Sequence, residues 1–466
     1  MARIVVMGAG ICGLAGAMML SRDGHDVTVL ERDPAPVPGS PEEAWEDWKR
    51  DGVTQFRQAH WLQSSGRAVL EEELPEIYDA LLNEALSLGL LDVMPPWLTE
   101  PAPRAGDDRF MTITGRRTTL EQVVARAAED EPHLEVRRGA AIRDLLTRQI
   151  DGLVHVTGVR TAEGEELRAD LVVDAMGRRS PAPQWLAAAG APPVHDEAED
   201  LGFINYTRFF RGEQLPQIRG PMLMPVGSFS VVTLPADKTT WSITVFIASG
   251  DRPLKRLRDA DRWTAVLAAC PLHAHWLDGE PITGVLPMGG VVDRYRRLMT
   301  DGRPVATGLA LVADAYACTN PSLGRGIALG LMHARLLRDV VREQLDDPRS
   351  FAVAWDTATE AELTPWYRAT VQEDRGRMRE IESIRNGLTP PPPADADAAV
   401  LAALPLAASQ DPEMFRVLLD FRCCLGSPTA VLERPGLAER ALELAAASAP
   451  RPPAGPNREE LLALLA

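Results

Sequence analysis

The sequence predicts an α/β protein with three parts: a Rossmann-like part with a parallel sheet, an antiparallel sheet inserted into it, and a helical C-terminal region. Three observations carry this. An apolar run opens the chain and turns straight into a glycine loop. Two more runs of the same buried character lie far downstream, at 171–173 and 304–312. Between those two, the pattern changes to an alternation of period two.

Ile4, Val5, Val6 and Met7 form the short apolar run that a fully buried parallel strand needs. Gly8, Ala9, Gly10, Ile11, Cys12 and Gly13 follow as G-x-G-x-x-G. The first glycine permits the tight turn. The second lets backbone approach a pyrophosphate, and the third lets helix pack closely on strand. The next helix carries Leu14, Ala15, Met18 and Met19 and ends near Gly24. A second strand, 27–30, delivers Glu31 eighteen residues past Gly13, where such folds place the acid that binds a ribose hydroxyl.

The totals bound the rest. A chain of 466 residues suggests two or three domains, and 45% hydrophobic residues suffice for a sizeable core. The net charge of −17 argues against a nucleic-acid or anionic-membrane partner. No apolar run reaches membrane-spanning length, and the chain enters its first strand at once, so a cytoplasmic location is expected. The five cysteines, Cys12, Cys270, Cys318, Cys423 and Cys424, lack the spacing of a disulfide framework. No metal site is expected, because His273 and His275 have no partners at metal spacing.

Residues 33–52, rich in Pro, Gly and acid, read as a surface excursion. Helix is predicted over 62–73 and 118–128, with a Pro-rich crossing between domains at 95–103. Strands are predicted at 154–160 and 166–173, around a turn at Gly164. Residues 203–210, 227–234 and 239–248 alternate as strands, with a hairpin turn at 235–238. The run 304–312 returns to buried-strand character, and a long helix follows over about 325–345. Beyond 346 the chain reads as helical, its alanine-rich stretches as filler, with proline breaks at 390–393 and 450–456 and a last amphipathic helix packing back on the body.

The second informative loop is Asp314 to Ile327. It joins an Asp at a strand end, a turn at Pro321, and Gly324-Arg325-Gly326 opening a helix. The carboxylate can accept hydrogen bonds from a sugar chain, and the loop can present N–H groups to an electron-rich ring. The plainer reading, an Asp capping a helix, accounts for one residue of the series.

With these blocks in view, the chain resembles the single-component FAD-dependent aromatic hydroxylases of the p-hydroxybenzoate hydroxylase fold, in the branch similar to squalene monooxygenase. Four blocks over residues 1 to about 345 carry the resemblance: the glycine loop with Glu31 and Arg32; Gly52 to His60, including Arg57; Arg117 to Glu121; and Asp314 to Ile327. Two positions depart from the family pattern. Ala313 stands where the family has Gly, and the family's Asp-Gly motif appears as Asp174-Ala-Met-Gly177-Arg178.

The resemblance implies a Rossmann-like FAD-binding domain (1–75, 105–189 and 283–345), a substrate domain with an antiparallel sheet (76–104 and 190–282), and a C-terminal helical region (346–466). It implies FAD held by Gly8, Ala9, Gly10, Ile11, Cys12, Gly13, Glu31, Arg32, Arg57, Arg117, Asp314, Pro321, Gly324, Arg325, Gly326 and Ile327. It further implies NADPH or NADH as reductant, and insertion of one oxygen atom from O2 into an apolar or aromatic small molecule through a flavin C4a-hydroperoxide. The chemistry is flavin-borne, so Arg57 and His60 are candidates for acid–base work without being required for it. Trp61, Tyr206, Arg208, Phe210, Met224, Trp241 and Met288 are candidates for the substrate pocket and equally for sheet core. A separate flavin reductase is a further partner if the turn at 174–178 does not receive nicotinamide. The competing functions are a flavin-dependent halogenase, an FAD-dependent reductase of an isoprenoid-like alkene, and a non-catalytic FAD-binding protein. Against the first, the sequence has no W-x-W-x-I-P motif, and its three lysines, Lys49, Lys238 and Lys255, lie outside the flavin motifs.

Overall fold

The opening apolar run is the middle strand of a five-stranded parallel sheet. The computed structural model describes residues 1–94, 98, 103–448 and 453–466. In it the strand order is Leu309–Leu311, Leu171–Asp174, Arg3–Met7, Asp26–Glu31, Leu134–Arg138. A middle strand with both faces covered has no place for a polar side chain, which is why Ile4 to Met7 carries none. Helix Ile11–Arg22 follows the glycine loop and lies close to the long helix Gly326–Gln344, where a Cβ on Gly16 would meet Ala334 Cβ at 3.4 Å.

The run 304–312 is not one strand. It divides into Arg303–Pro304, Ala306–Thr307 and Leu309–Leu311. Gly308 causes the division: its φ is +72°, and a Cβ there would sit 2.2 Å from the Val156 carbonyl oxygen. The chain changes sheets at this residue. Ala306–Thr307 pairs with Leu153–Thr161, whereas Leu309–Leu311 joins the parallel sheet.

The three predicted alternating strands, joined at one edge by Leu223–Val226, which the sequence pattern does not predict, form an antiparallel sheet in the order Leu223–Val226, Phe229–Pro235, Thr240–Ala248, Phe203–Arg211. Glu280–Pro281 and Leu286–Gly289 pair along the last of these. Lys238 and Thr239, at φ 51° and 52°, make the hairpin turn, one residue later than the sequence suggests.

Residues 33–52 are more than a surface excursion. Ser40 caps a short helix, Pro41–Glu46, and Trp48 and Arg50 beyond it are buried. Most of the Pro-rich stretch at 95–103, and Pro450 with its neighbours, lie outside the described residues. The C-terminal helices are not filler either. Leu404, Ala407, Ala408, Phe421 and Ala441 form a core with Trp366, the small side chains allowing helices to approach closely. The last helix, Arg458–Leu464, starts at an Asn457–Glu460 capping box and buries Leu461 and Leu465 among Trp263 and Trp276. No helix of the described residues is long and apolar enough to cross a membrane.

Asp174 ends its strand fully buried, accepting from the Met176 N–H at 3.0 Å and from the Ser180 hydroxyl. Burial pushes its carboxyl up from 3.8 to about 6. The neutral form is the one burial favours, so this group's stabilising contribution is greatest below pH 3.8 and is lost as pH rises through about 6. Asp174→Asn keeps an acceptor for the Met176 N–H and removes the buried charge. It is expected to raise stability at pH 7.5 and to flatten the pH dependence between 4 and 7. Denaturant titrations across that range check this, and an unchanged pH slope would show that Asp174 is not its source.

Candidate functional site

A cavity of about 1270 Å³ runs from the glycine loop to the antiparallel sheet and the C-terminal helices. That exceeds the roughly 300–1,000 Å³ of a single small-molecule site. One end is walled by Gly8, Gly10 to Gly13, Glu31, Arg32, Arg50, the turn Ala175 to Arg179, and Asp314. The other is walled by Asn205, Thr207, Val232, Leu234, Phe246, Phe415 and Leu419. Gln58, His60, Trp61 and Arg117 also line it.

A buried ion network braces the first end. Arg50, its side chain 2% exposed, reaches Glu31 Oε2 at 2.7 Å, Glu121 Oε2 at 3.2 Å and Asp33 Oδ2 at 3.4 Å, and donates to the Ala9 carbonyl at 3.1 Å. Glu31 also accepts from the backbone N–H groups of Ala9 and Asp33. Glu121 in turn holds Arg117 at 2.8 Å. Arg117 Nη1 lies 2.7 Å from His60 Nε2, and His60 Nδ1 lies 2.9 Å from the Gln58 carbonyl oxygen. This fixes the tautomer: Nδ1–H donates to Gln58, and Nε2 accepts from Arg117.

Burial first, then the Arg117 charge, pushes the His60 imidazole down to about 3. A histidine buried neutral contributes its full stability above its ordinary pKa of 6.5, and that contribution falls away as pH drops toward 3. His60 therefore orients Arg117 and stays uncharged at neutral pH, its one ring proton held on Nδ1. An NMR titration of its ring C2–H is expected to stay flat from pH 8 to about 4. An inflection near the ordinary histidine pKa would refute this.

Asp314 is held by burial above the ordinary carboxylate range, against the pull of Arg117 and Arg178. Ala313 before it adopts φ 53°. That left-handed conformation costs about 1–2 kcal/mol for a residue with a Cβ, which explains a glycine preference there. Burial pushes the Cys12 thiol, inside the glycine loop, up to about 12.

Three of the expected cofactor residues are not on the cavity wall. Arg57 stacks over Trp45 at 4.9 Å and donates to the Trp48 carbonyl at 3.2 Å, so it is committed to holding the excursion in place. Arg325 turns inward: it is 1% exposed, bonds Glu373 and Thr370 at 2.9 Å each, and lies over Trp366 and Phe421. It ties the loop to the C-terminal helices. Ala9 is fully buried, and its backbone serves Glu31 and Arg50. The other expected cofactor residues, from Gly8 to Ile327, all line the cavity.

Of the substrate-pocket candidates, Trp61, Met224 and Met288 line the cavity. Tyr206, Phe210 and Trp241 do not: they pack with Trp263 and Trp276 on the opposite side of the sheet. Arg208 lies over Trp263 and Phe210 there. Strand parity is the reason, since Asn205 and Thr207 face the cavity and their even-numbered neighbours cannot. Arg50, Gln58 and the C-terminal stripe Phe415, Leu418, Leu419, Arg422 escaped the sequence reading. The stripe's helical spacing and the aromatics Trp45, Trp48 and Phe56 around Arg50 were the available signals.

Two glycines test whether a dinucleotide fits. A Cβ on Gly10 or on Gly326 would meet no protein atom within 4 Å, and neither residue has positive φ. The protein's own packing requires glycine at neither place. Both line the cavity, each at the start of a helix whose free N–H groups suit anionic or electron-rich groups. The residues present fit a bound dinucleotide.

Fold and cavity thus define the class: an α/β protein whose N-terminal glycine loop and a second, largely apolar compartment share one cavity. Residues 3–51 match the family model for pyridine nucleotide-disulphide oxidoreductases. Over 394 residues the chain is 28% identical to Protein Rv3254 of Mycobacterium tuberculosis, covering 76% of this chain and 75% of that one. The structure of PqsL from Pseudomonas aeruginosa, a probable FAD-dependent monooxygenase, matches with a TM-score of 0.61 at 18% identity, over 82% of this chain and 96% of PqsL. OxyS anhydrotetracycline hydroxylase from Streptomyces rimosus matches with a TM-score of 0.58 at 17% identity, over 91% of this chain and 76% of OxyS. The fold is that of the FAD-dependent monooxygenases built on the p-hydroxybenzoate hydroxylase plan.

Proposed function

We propose that this protein is an FAD-dependent monooxygenase that uses NAD(P)H and O2 to place one oxygen atom, as a hydroxyl or an epoxide, in an apolar or aromatic small molecule. The observation that carries this reading is the continuity of the cavity. The glycine loop, Glu31, Asp314 and the Pro321–Gly326 loop open onto the same space as an apolar compartment. The fold shared with PqsL and OxyS supports it.

In this reading the N-terminus of Ile11–Arg22 receives the pyrophosphate, Glu31 the adenosine ribose and Asp314 the ribityl chain. When bound, the flavin supplies oxygen activation. The chain's own residues position the substrate beside it and keep water out. Neutral His60 steers Arg117 and moves no proton. Arg178 and Arg179, on the cavity wall, offer positive charge for a nicotinamide phosphate, a role Arg57 is too committed to play. Among the described residues no lysine lines the cavity, which weighs against a halogenase with a catalytic lysine.

Purified protein is expected to be yellow and to release FAD on acid precipitation. Asp314→Ala is expected to lose flavin with the fold intact. Oxygen uptake with NADPH and a panel of aromatic and polycyclic candidates tests the reaction. Colourless protein that takes up no FAD would refute the cofactor. Flavin that NADPH never bleaches, with turnover only beside a flavin reductase, would move the reductant to a partner.

A further inference from the structure

The end of the cavity away from the glycine loop is apolar on facing walls. Leu90, Val232, Leu234 and Phe246 pack in one cluster with Phe415 and Leu419. Phe415, Leu418, Leu419 and Arg422 follow one another along helix Pro412–Arg422 at i, i+3, i+4 and i+7, so they share a face. Arg422 therefore leaves the helix on the same face, one turn beyond the apolar pair, and it also lines the cavity.

Its charge is not cancelled locally. Arg422 Nη1 donates to Glu373 Oε2 at 2.8 Å, but Glu373 Oε1 already accepts from Arg325 Nη1 at 2.9 Å. One carboxylate between two guanidiniums leaves one positive charge. The neighbouring Asp374 does not remove it, because burial holds that carboxyl well above its ordinary range and favours its neutral form. Nε and Nη2 of Arg422 have no hydrogen-bond partner among the described residues. Glu31 and Asp314 are the only acids among the described lining residues, and both stand at the glycine-loop end. The Arg422 side chain is 30% exposed, so its remaining donors are open to solvent, and a guanidinium with donors to spare beside an apolar wall makes strong charge-assisted hydrogen bonds to an anion that reaches it.

We propose that this end of the cavity binds a ligand with a ring-sized apolar body and one oxyanion, a carboxylate or an ionised phenol or enol, and that Arg422 recognises the oxyanion. As a substrate assignment this rests on the monooxygenase reading; as a binding site it does not.

The test uses the protein as purified, with its flavin content recorded separately. Calorimetric titrations compare 2-naphthoate and anthracene-2-carboxylate, each with its methyl ester. At least one acid is expected to bind ten-fold or more tightly than its ester. Arg422→Met is expected to abolish that preference with flavin content unchanged, and Arg422→Lys to restore part of it. A merely structural role for Arg422 would weaken acid and ester alike. The inference is overturned if the unsubstituted protein prefers neither acid over its ester, failure of all four to bind included, or if Arg422→Met keeps the preference. Protein that lacks flavin yet discriminates acid from ester upholds this site and removes the flavin reading instead.

Discussion

Replacing Arg50 by Met is expected to destabilise the protein by about 3–5 kcal/mol, the cost of removing one partner from a buried ion pair. Three carboxylates would lose their common cation. Their side chains are 7%, 12% and 1% exposed at Glu31, Asp33 and Glu121, so water cannot replace it. Burial alone would lower the pKa of Arg50, yet the three carboxylates hold it above its ordinary value. The guanidinium also joins three parts of the chain: the end of strand Asp26–Glu31, helix Arg117–Glu129, and the segment after Pro41–Glu46. Arg50→Lys is expected to retain part of the stability, because it keeps the charge and loses the fork that reaches three acids at once. Urea unfolding of the flavin-free forms measures the difference without a contribution from ligand. A loss under 1 kcal/mol for Arg50→Met would show that the carboxylates are hydrated or protonated in the native state, and that the network is not what holds this end together.

Arg50 also shows where sequence reasoning stops. The parallel strands were legible because a strand covered on both faces must be apolar throughout, and the glycine loops because their spacing is dictated by a turn. Nothing comparable marks an arginine in a stretch of prolines and acids, where composition argues for solvent and only the tertiary fold brings Glu31 and Glu121 within reach. The antiparallel sheet hid its orientation for another reason. Both of its faces are buried, one against the cavity and one against Trp263 and Trp276, so alternation of apolar and polar residues gives no sign of which face is which. Tyr206 and Trp241 look like pocket residues by type and lie on the wrong parity. Gly308 is the converse case: it sits in a stretch that reads as one buried strand, and only the approach of the Val156 carbonyl makes it the point where the chain changes sheets. Alanines at 407, 408 and 441 read as helix filler because small side chains carry no pattern, although their smallness is what lets those helices pack closely on one another.

Gly10 and Gly13 should separate what the fold needs from what the ligand needs. In Gly13→Ala the new Cβ would sit 2.3 Å from the Gly8 carbonyl oxygen and 3.0 Å from Ala175 Cβ. Backbone would have to move at the junction of strand and helix, and the flavin-free protein is expected to lose about 1–3 kcal/mol or more. In Gly10→Ala the new Cβ meets nothing within 4 Å, and the residue already has ordinary backbone angles, φ −78° and ψ 168°. The flavin-free protein should be as stable as before, or more stable by about 0.4–1 kcal/mol through the smaller entropy of its unfolded chain. The added methyl group points into the space assigned to the pyrophosphate. Overpacking of about 1–3 kcal/mol there corresponds to roughly a 5- to 150-fold loss of FAD affinity. Fluorescence titration of FAD and thermal melts of the flavin-free forms give both quantities for both variants. Gly10→Ala that binds FAD like the unsubstituted protein would mean that no phosphate approaches this backbone, and the assignment of the glycine loop would fall with it.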